Sequence, residues 1–256
     1  MANAPRVENL LRFNWSHALG TSVSSTLFGR IVINLNRCLA LAKHGFQLHK
    51  DNDTHELGDE VLRACIVLLH SSFEDFLRSL TRWLLPLSTS KVALAELKFP
   101  GGSDADKRPL VLSIADLGNR YRNLTVQQLI EKAVGSYCDR MTISNTNVFE
   151  QWLMRLGYDP EPFRRQYAIL AWMMERRHRI AHEADLVDEP EGFSYFGFDD
   201  DDNPKFAELM LTIHSICLDG LHPDLGGGLF KNTPTSTVEN PKSGPSEPLG
   251  PGPQTG

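Results

Sequence analysis

The sequence predicts an all-α protein, a bundle of five or six helices, and three observations predict it. Apolar residues return at spacings of three and four along several long segments, which is the period of a one-sided helix. Those segments are separated by clusters of Pro, Gly, Asn and Asp, which terminate helices. The only short stretch that alternates aromatic with small residues is GFSYFGF (192–198), which reads as a short strand or an aromatic-rich loop.

The first helix is expected over Leu27–His49, after an N-terminal arm of residues 1–27, with Ile31, Leu35, Cys38, Leu39 and Ala42 forming its apolar stripe. HKDNDTHELG interrupts it. The clearest element is Asp59–Leu85, where Leu62, Cys65, Leu69, Phe73, Phe76, Leu80 and Leu84 follow one face. Arg63, Glu74, Arg78 and Arg82 lie off that face, and Pro86 stops the helix. FPGGSDADKRP (99–109) reads as a loop, and 110–117 as a short helix or an extended run. Helices follow at Val126–Met141 and Asn147–Leu156, the second ending at Gly157, a natural residue just past a helix end. A long helix runs from Pro162 to His182, its buried side marked by Phe163, Tyr167, Leu170, Met174 and Ala181 and widened by Trp172 and Met173. The last helix spans Pro204–Leu218, with Asn203 as its expected cap and Phe206, Leu209, Met210, Ile213 and Cys217 turned inward.

Residues 1–222 suffice for one domain with a full core. Residues 223–256 are dominated by Pro, Gly, Ser and Thr and carry too few bulky apolar groups to offset their ordering entropy, so a disordered tail is expected. The formal charge of −6 and pI near 5.8 exclude the broad basic field of a nonspecific DNA binder, leaving only a local basic patch for any nucleic-acid contact. No run is apolar enough to span a bilayer, and the N-terminus lacks the basic-then-apolar order of a secretory signal. Cys38, Cys65, Cys138 and Cys217 are scattered within apolar runs, as reduced core residues of a cytoplasmic protein would be.

One segment concentrates chemistry. Residues 176–182, with sequence RRHRIAH, put three arginines and two histidines at the end of an otherwise apolar helix in an acidic chain. Cations at this density repel unless a carboxylate or phosphate offsets them. Three readings compete. In the first, basic residues complement the negative end of the helix dipole, with Glu175–Arg179 and Arg179–Glu183 as ion pairs four apart. In the second, His178 and His182 share a helix face and hold a metal with Glu175 or Asp185; the flanking arginines and the lack of an obvious third ligand oppose it.

The third reading comes from resemblance. Arg177-His178-Arg179-Ile180-Ala181-His182 resembles the Rx4–6H motif of the HEPN superfamily, in which a polar residue follows the arginine and a small–apolar pair precedes the histidine. The motif ends a long helix, one more helix follows it, and an earlier helix carries LLHSSFEDFLRSL, similar to the glutamate-bearing segment placed before the motif in that superfamily. In organisation the resemblance covers about residues 28–220, and the branch it resembles most is the RiboL-PSP type.

The resemblance implies an endoribonuclease needing neither metal nor cofactor, or a non-catalytic relative that binds RNA, a nucleotide or a partner protein. It also implies a homodimer whose two motifs meet in one cleft, and a role as a toxin or defence effector with an antitoxin protein as partner. In the ribonuclease reading His182 exchanges protons with the reacting groups and Arg177 stabilises charge on the phosphorane. His178 would orient His182 or the phosphate, and Glu175 would anchor an arginine. Arg176 and Arg179 would bind flanking RNA phosphates or sit in surface salt bridges. One geometric fact stands against a site within one chain: five residues along a helix turn about 140° around its axis, so Arg177 and His182 do not share a face.

Three other features read as structural. Glu74 either faces an arginine of the motif or is simply exposed. Asp199–Asp202 lacks the spacers, glycine and distal glutamate of a calcium loop and reads as a solvated turn. His70 and His214, inside apolar stretches, read as hydrogen-bonded structural residues.

Overall fold

The computed structural model describes residues 4–13, 22–87, 97, 121–189 and 192–221. Helix α1 (Ser22–His49) and helix α2 (His55–Leu84) form an antiparallel hairpin, each roughly 40–45 Å long at about 1.5 Å per residue. Helices α3 (Val126–Arg140), α4 (Thr146–Arg155), α5 (Tyr167–His182) and α6 (Asp202–His214) complete the six helices among the described residues. Between α5 and α6, β1 (Leu186–Glu189) and β2 (Gly192–Tyr195) pair antiparallel, so the aromatic stretch at 192–198 opens as a strand. The segments 99–109 and 110–117 and the tail 223–256 lie outside the described residues.

Helix α2 is the hub, packing against α1, α3 and α5, while α6 closes on α1 and α5. Leu62, Cys65, Leu69, Phe73, Phe76 and Leu80 are buried as the periodicity predicts. The hairpin is tight because of two glycines. A methyl group on Gly45 would meet Leu62 Cγ at 2.9 Å, and one on Gly58 would meet the Cα of His49 at 2.7 Å and the carbonyl oxygen of Gly45 at 2.9 Å. Backbone thus touches backbone where α2 starts beneath the end of α1.

Local rules set most of the boundaries. Thr125 and Gln128 form a reciprocal capping box at the start of α3, and Asn145 Oδ1 accepts the Val148 N–H at 2.9 Å to open α4. Gly157 has φ +86 and lets the chain leave α4 in the left-handed region. The expected helix start at Pro162 is displaced: Glu161–Gln166 is a 3-10 turn, and the α-helix begins at Tyr167. Pro160 and Pro162 remove two N–H donors from that turn. Ala181, expected inside, is exposed in the last turn of α5. Helix α6 opens at Asp202, so Asn203 is not its cap; it is fully buried, accepting the Val7 N–H at 2.9 Å and donating to Glu8 at 3.0 Å. This clamps residues 4–13 onto the bundle, where Phe13 also exchanges both backbone bonds with the Asn36 side chain. Past α6 the chain winds into a π turn, Ser215–Gly220.

All four cysteines are buried free thiols. His70 Nε2 donates to the Ile143 carbonyl at 3.1 Å, and His214 stacks on Phe13 with ring centroids 5.0 Å apart. Among the described residues Glu74 forms no ion pair with a motif arginine, and it is not exposed. It accepts the Ile143 N–H at 2.9 Å and pairs with Arg78 at 3.3 Å, fixing the loop between α3 and α4 to α2.

Two outcomes test this packing. Gly58→Ala should destabilise the protein by about 1–3 kcal/mol in urea unfolding, because backbone overlap outweighs the gain in helix propensity. Burial lowers the pKa values of both His70 and His214 from 6.5, so the folded chain binds fewer protons than the unfolded one. Their contribution is therefore complete above the unfolded value and is lost as pH falls through it toward the folded values. The urea midpoint should drop between about pH 7 and pH 5.5, and drop less in His214→Phe.

Candidate functional site

Helix α5 changes character along its length. Ile169, Leu170, Met173 and Met174 are buried in the core; the next inward position is Arg176, only 4 % exposed. Its guanidinium is received by a carboxylate that arrives from beyond the helix. Asp185, with no exposed surface, accepts from Arg176 NH2 at 2.8 Å and from Arg63 Nε on α2 at 3.0 Å, through the same oxygen. Arg176 also donates to the carbonyls of Phe196 and Gly197. Aromatic faces complete the enclosure: the Arg176 guanidinium carbon lies 4.3 Å from the Phe196 ring centre and 4.4 Å from that of Phe198, and Arg63 lies 5.0 Å over Tyr195. Burial lowers the pKa of Arg176, while Asp185 and Asp202 act to raise it.

The backbone must bend sharply to deliver Asp185. Ala184 and Asp185 have φ of +50° and +56°, left-handed values that side-chain-bearing residues seldom adopt. The N–H groups of Glu183 and Asp185 both donate to the Arg179 carbonyl, and Phe196 N–H donates to the Asp185 carbonyl at 2.8 Å. The hairpin is thereby tied to the end of α5. The strain is held in place by a buried ion cluster directly behind the motif.

Around this anchor the motif residues separate into distinct environments. His178 and His182 are exposed and lie side by side, with ring centroids 4.7 Å apart and planes at 47°. Arg177 is half-buried and near enough to His70 of α2 for its charge to contribute to lowering the His70 pKa. Arg179 is half-buried over the Phe196 ring at 4.1 Å and lies 3.9 Å from Glu183. Glu175 is exposed, and among the described residues no ion pair joins it to Arg179. Its expected role as an anchor for an arginine therefore has no contact behind it. Arg176 requires a correction. It was expected to reach flanking phosphates or surface carboxylates, but it is enclosed by Asp185, two carbonyls and two rings and is closed to RNA. Among the described residues no third metal-ligating side chain joins His178 and His182.

Alongside the motif runs a groove of about 650 Å³, walled by Arg63, Ala64, Val67 and Leu68 of α2 and by Ile180, Ala184 and Tyr195. Tyr195 stands exposed at its edge, and Leu186, its partner across the hairpin, and the following Phe196 are exposed as well.

The periodicity reading missed Arg63, Asp185 and the aromatic residues that enclose Arg176. A signal existed for Arg63: Asp59, Arg63, Ile66 and His70 repeat at helical spacing, and all four are buried, so a polar row borders the apolar face of α2. Asp185 had none, because it lies beyond the helix and its burial depends on a left-handed turn.

The family model described as RiboL-PSP-HEPN matches residues 33–217, which contains α2, the motif helix and α6. No curated protein and no solved structure matches the chain.

Asp185→Asn should cost about 3–5 kcal/mol in urea unfolding, since it leaves two buried guanidinium groups without their shared counter-charge. A loss below about 1 kcal/mol, the range of an exposed pair, would contradict the anchoring role.

Proposed function

The chain belongs to the RiboL-PSP-HEPN family, and on that premise we propose that it is a metal-independent endoribonuclease acting through Arg177 and His182 in a homodimer. The observation that carries the reading is the exposed His178–His182 pair, which begins directly after Arg177 at the end of α5, within the matched segment. RNA holds its own nucleophile, so the chemistry asks little of the protein. His182 takes the proton of the 2′-OH, the 2′-oxygen attacks phosphorus, and the P–O5′ bond breaks as the departing oxygen takes a proton from water, leaving a 2′,3′-cyclic phosphate and a 5′-OH. Arg177 offsets the charge that builds on the phosphorane oxygens. His178, in ring contact with His182, orients it, and Arg179 remains near the surface to meet a flanking phosphate.

Two observations support placing the site between subunits. Arg177 and His182 diverge around the helix axis, so a partner's motif supplies the complementary group. The exposed Leu186, Tyr195 and Phe196 beside the motif offer apolar surface of the kind that subunit contacts cover. A toxin or defence role, with an antitoxin as partner, is the biological setting we attach to this reading.

A second reading is favoured by the fate of the arginines. With Arg176 sequestered and Arg179 stacked on Phe196, the segment presents less free positive charge than its sequence suggests, in a chain of net charge −6. A non-catalytic module binding RNA, a nucleotide or a partner protein needs no more.

Incubation with mixed RNA in EDTA separates the two. Under the first reading wild-type protein cleaves and leaves cyclic phosphate ends, His182→Ala lowers the rate by about 10²–10⁴-fold, and Arg177→Ala by about 10²–10³-fold. Both variants should keep the wild-type circular dichroism. Absence of cleavage by a dimer of verified fold selects the second reading.

A further inference from the structure

Away from the motif, the corner between α1 and α2 gathers three residues that suit a metal. We propose that His49, His55 and Asp59 form a binding site for a divalent first-row transition ion, with Zn²⁺ the ion their donors fit best. One nitrogen or oxygen from each residue lies within 4.8 Å of the other two. Nδ1 of His49 is 2.8 Å from Oδ1 of Asp59, and the rings of His49 and His55 are 4.1 Å apart. Around tetrahedral zinc, with bonds of about 2.0–2.2 Å, donor atoms sit roughly 3.3 Å apart. The distance still to be closed is therefore a small rotation of one side chain. His55 is the exposed member and is free to make it.

The other two ligands are held in advance. The side chains of His49 and Asp59 are 11 % and 8 % exposed. His55 and Asp59 are four apart on α2, hence on one face, and His49 is the last residue of α1. The connecting turn is braced by Thr54 Oγ1, which donates to the Leu48 carbonyl at 2.9 Å, and by the backbone contact at Gly58. Arg63 NH2 stands 4.0 Å from Asp59 Oδ2, the far oxygen, which orients the carboxylate with Oδ1 toward His49. Two imidazoles and a carboxylate form a donor set that zinc accepts, with water completing the coordination.

In the chain as it stands, His49 donates its Nδ1 proton to Asp59. Metal binding at Nδ1 shifts that proton to Nε2, the other ring nitrogen, and replaces one hydrogen bond with three coordinate bonds that join the two longest helices at their turn. The ion would thus be structural. The nuclease reading passes no step through it, and the two proposals stand or fall separately.

The test is Zn²⁺ titration of EDTA-stripped, dialysed full-length protein by calorimetry, with thermal unfolding alongside. One ion should bind per chain and raise the unfolding midpoint, since a ligand of the folded state stabilises it. His55→Ala, an exposed substitution, should keep the fold and weaken binding by at least about tenfold, the lower end of what even outer-shell changes do at such sites. A double variant, His178→Ala with His182→Ala, removes the other histidine pair and should bind as wild type does. Wild-type affinity retained in His55→Ala overturns the proposal. So does loss of binding confined to the double variant, and so does an absence of saturable binding in the wild type.

Discussion

Asp185 is the side chain on which the arrangement at the motif end of the molecule depends. It is wholly buried, and its Oδ2 receives one arginine from α2 and one from α5. Arg63 has Glu60 at 2.9 Å and Asp59 at 4.0 Å as further carboxylate partners, whereas Arg176, 4 % exposed, pairs among the described residues with Asp185 alone, a position costly for lysine. Arginine is tolerated because its charge is delocalised, weakly hydrated and flat, so aromatic faces and carbonyl oxygens can take the remainder. Phe196, Phe198 and the carbonyls of Phe196 and Gly197 do so here. The cluster therefore binds three pieces of chain at once: the middle of the hub helix, the end of the motif helix, and the strand and loop that follow it.

This arrangement explains why the motif helix ends where it does. The last carbonyls of α5 are taken up by a turn whose two residues sit in the left-handed region, and the turn is held there by the ion cluster and by the hydrogen bond from Phe196. His178 and His182 project on the opposite side, where nothing in the described chain covers them. The pair of imidazoles thus stands exposed on a helix end that the ion cluster and the turn hold from behind. The division of labour within RRHRIAH follows from this: Arg176 serves the scaffold, Arg177 lies near His70 of α2, and the histidines face solvent.

Much of the bundle was legible from local rules because its determinants are local. Apolar periodicity placed the core faces of α1, α2 and α6, and proline, glycine and capping residues placed most ends to within a few positions. The exceptions share a cause. Asn203 looks like a cap beside Pro204, yet it is drawn inside to satisfy Val7 and Glu8 from the far end of the chain. Glu74 looks like a surface or motif partner, yet a loop nearly seventy residues away supplies its hydrogen bond and its neighbour Arg78 its charge. Each is a polar side chain whose partner is distant in sequence, and spacing carries no information about such a partner.

By itself, then, the sequence determined the mainly helical architecture, the family, and the position of the RRHRIAH motif at a helix end, because a 3.6-residue period and a six-residue motif are properties of contiguous chain. Only the tertiary structure decided which cations of that segment are open and which are structural. A guanidinium is costly to bury unless charge and hydrogen bonds meet it, and whether they do depends on how α2, the end of α5 and the hairpin converge. Arg176 meets Asp185 and is withdrawn from the surface; His178 and His182 pair with each other and stay on it.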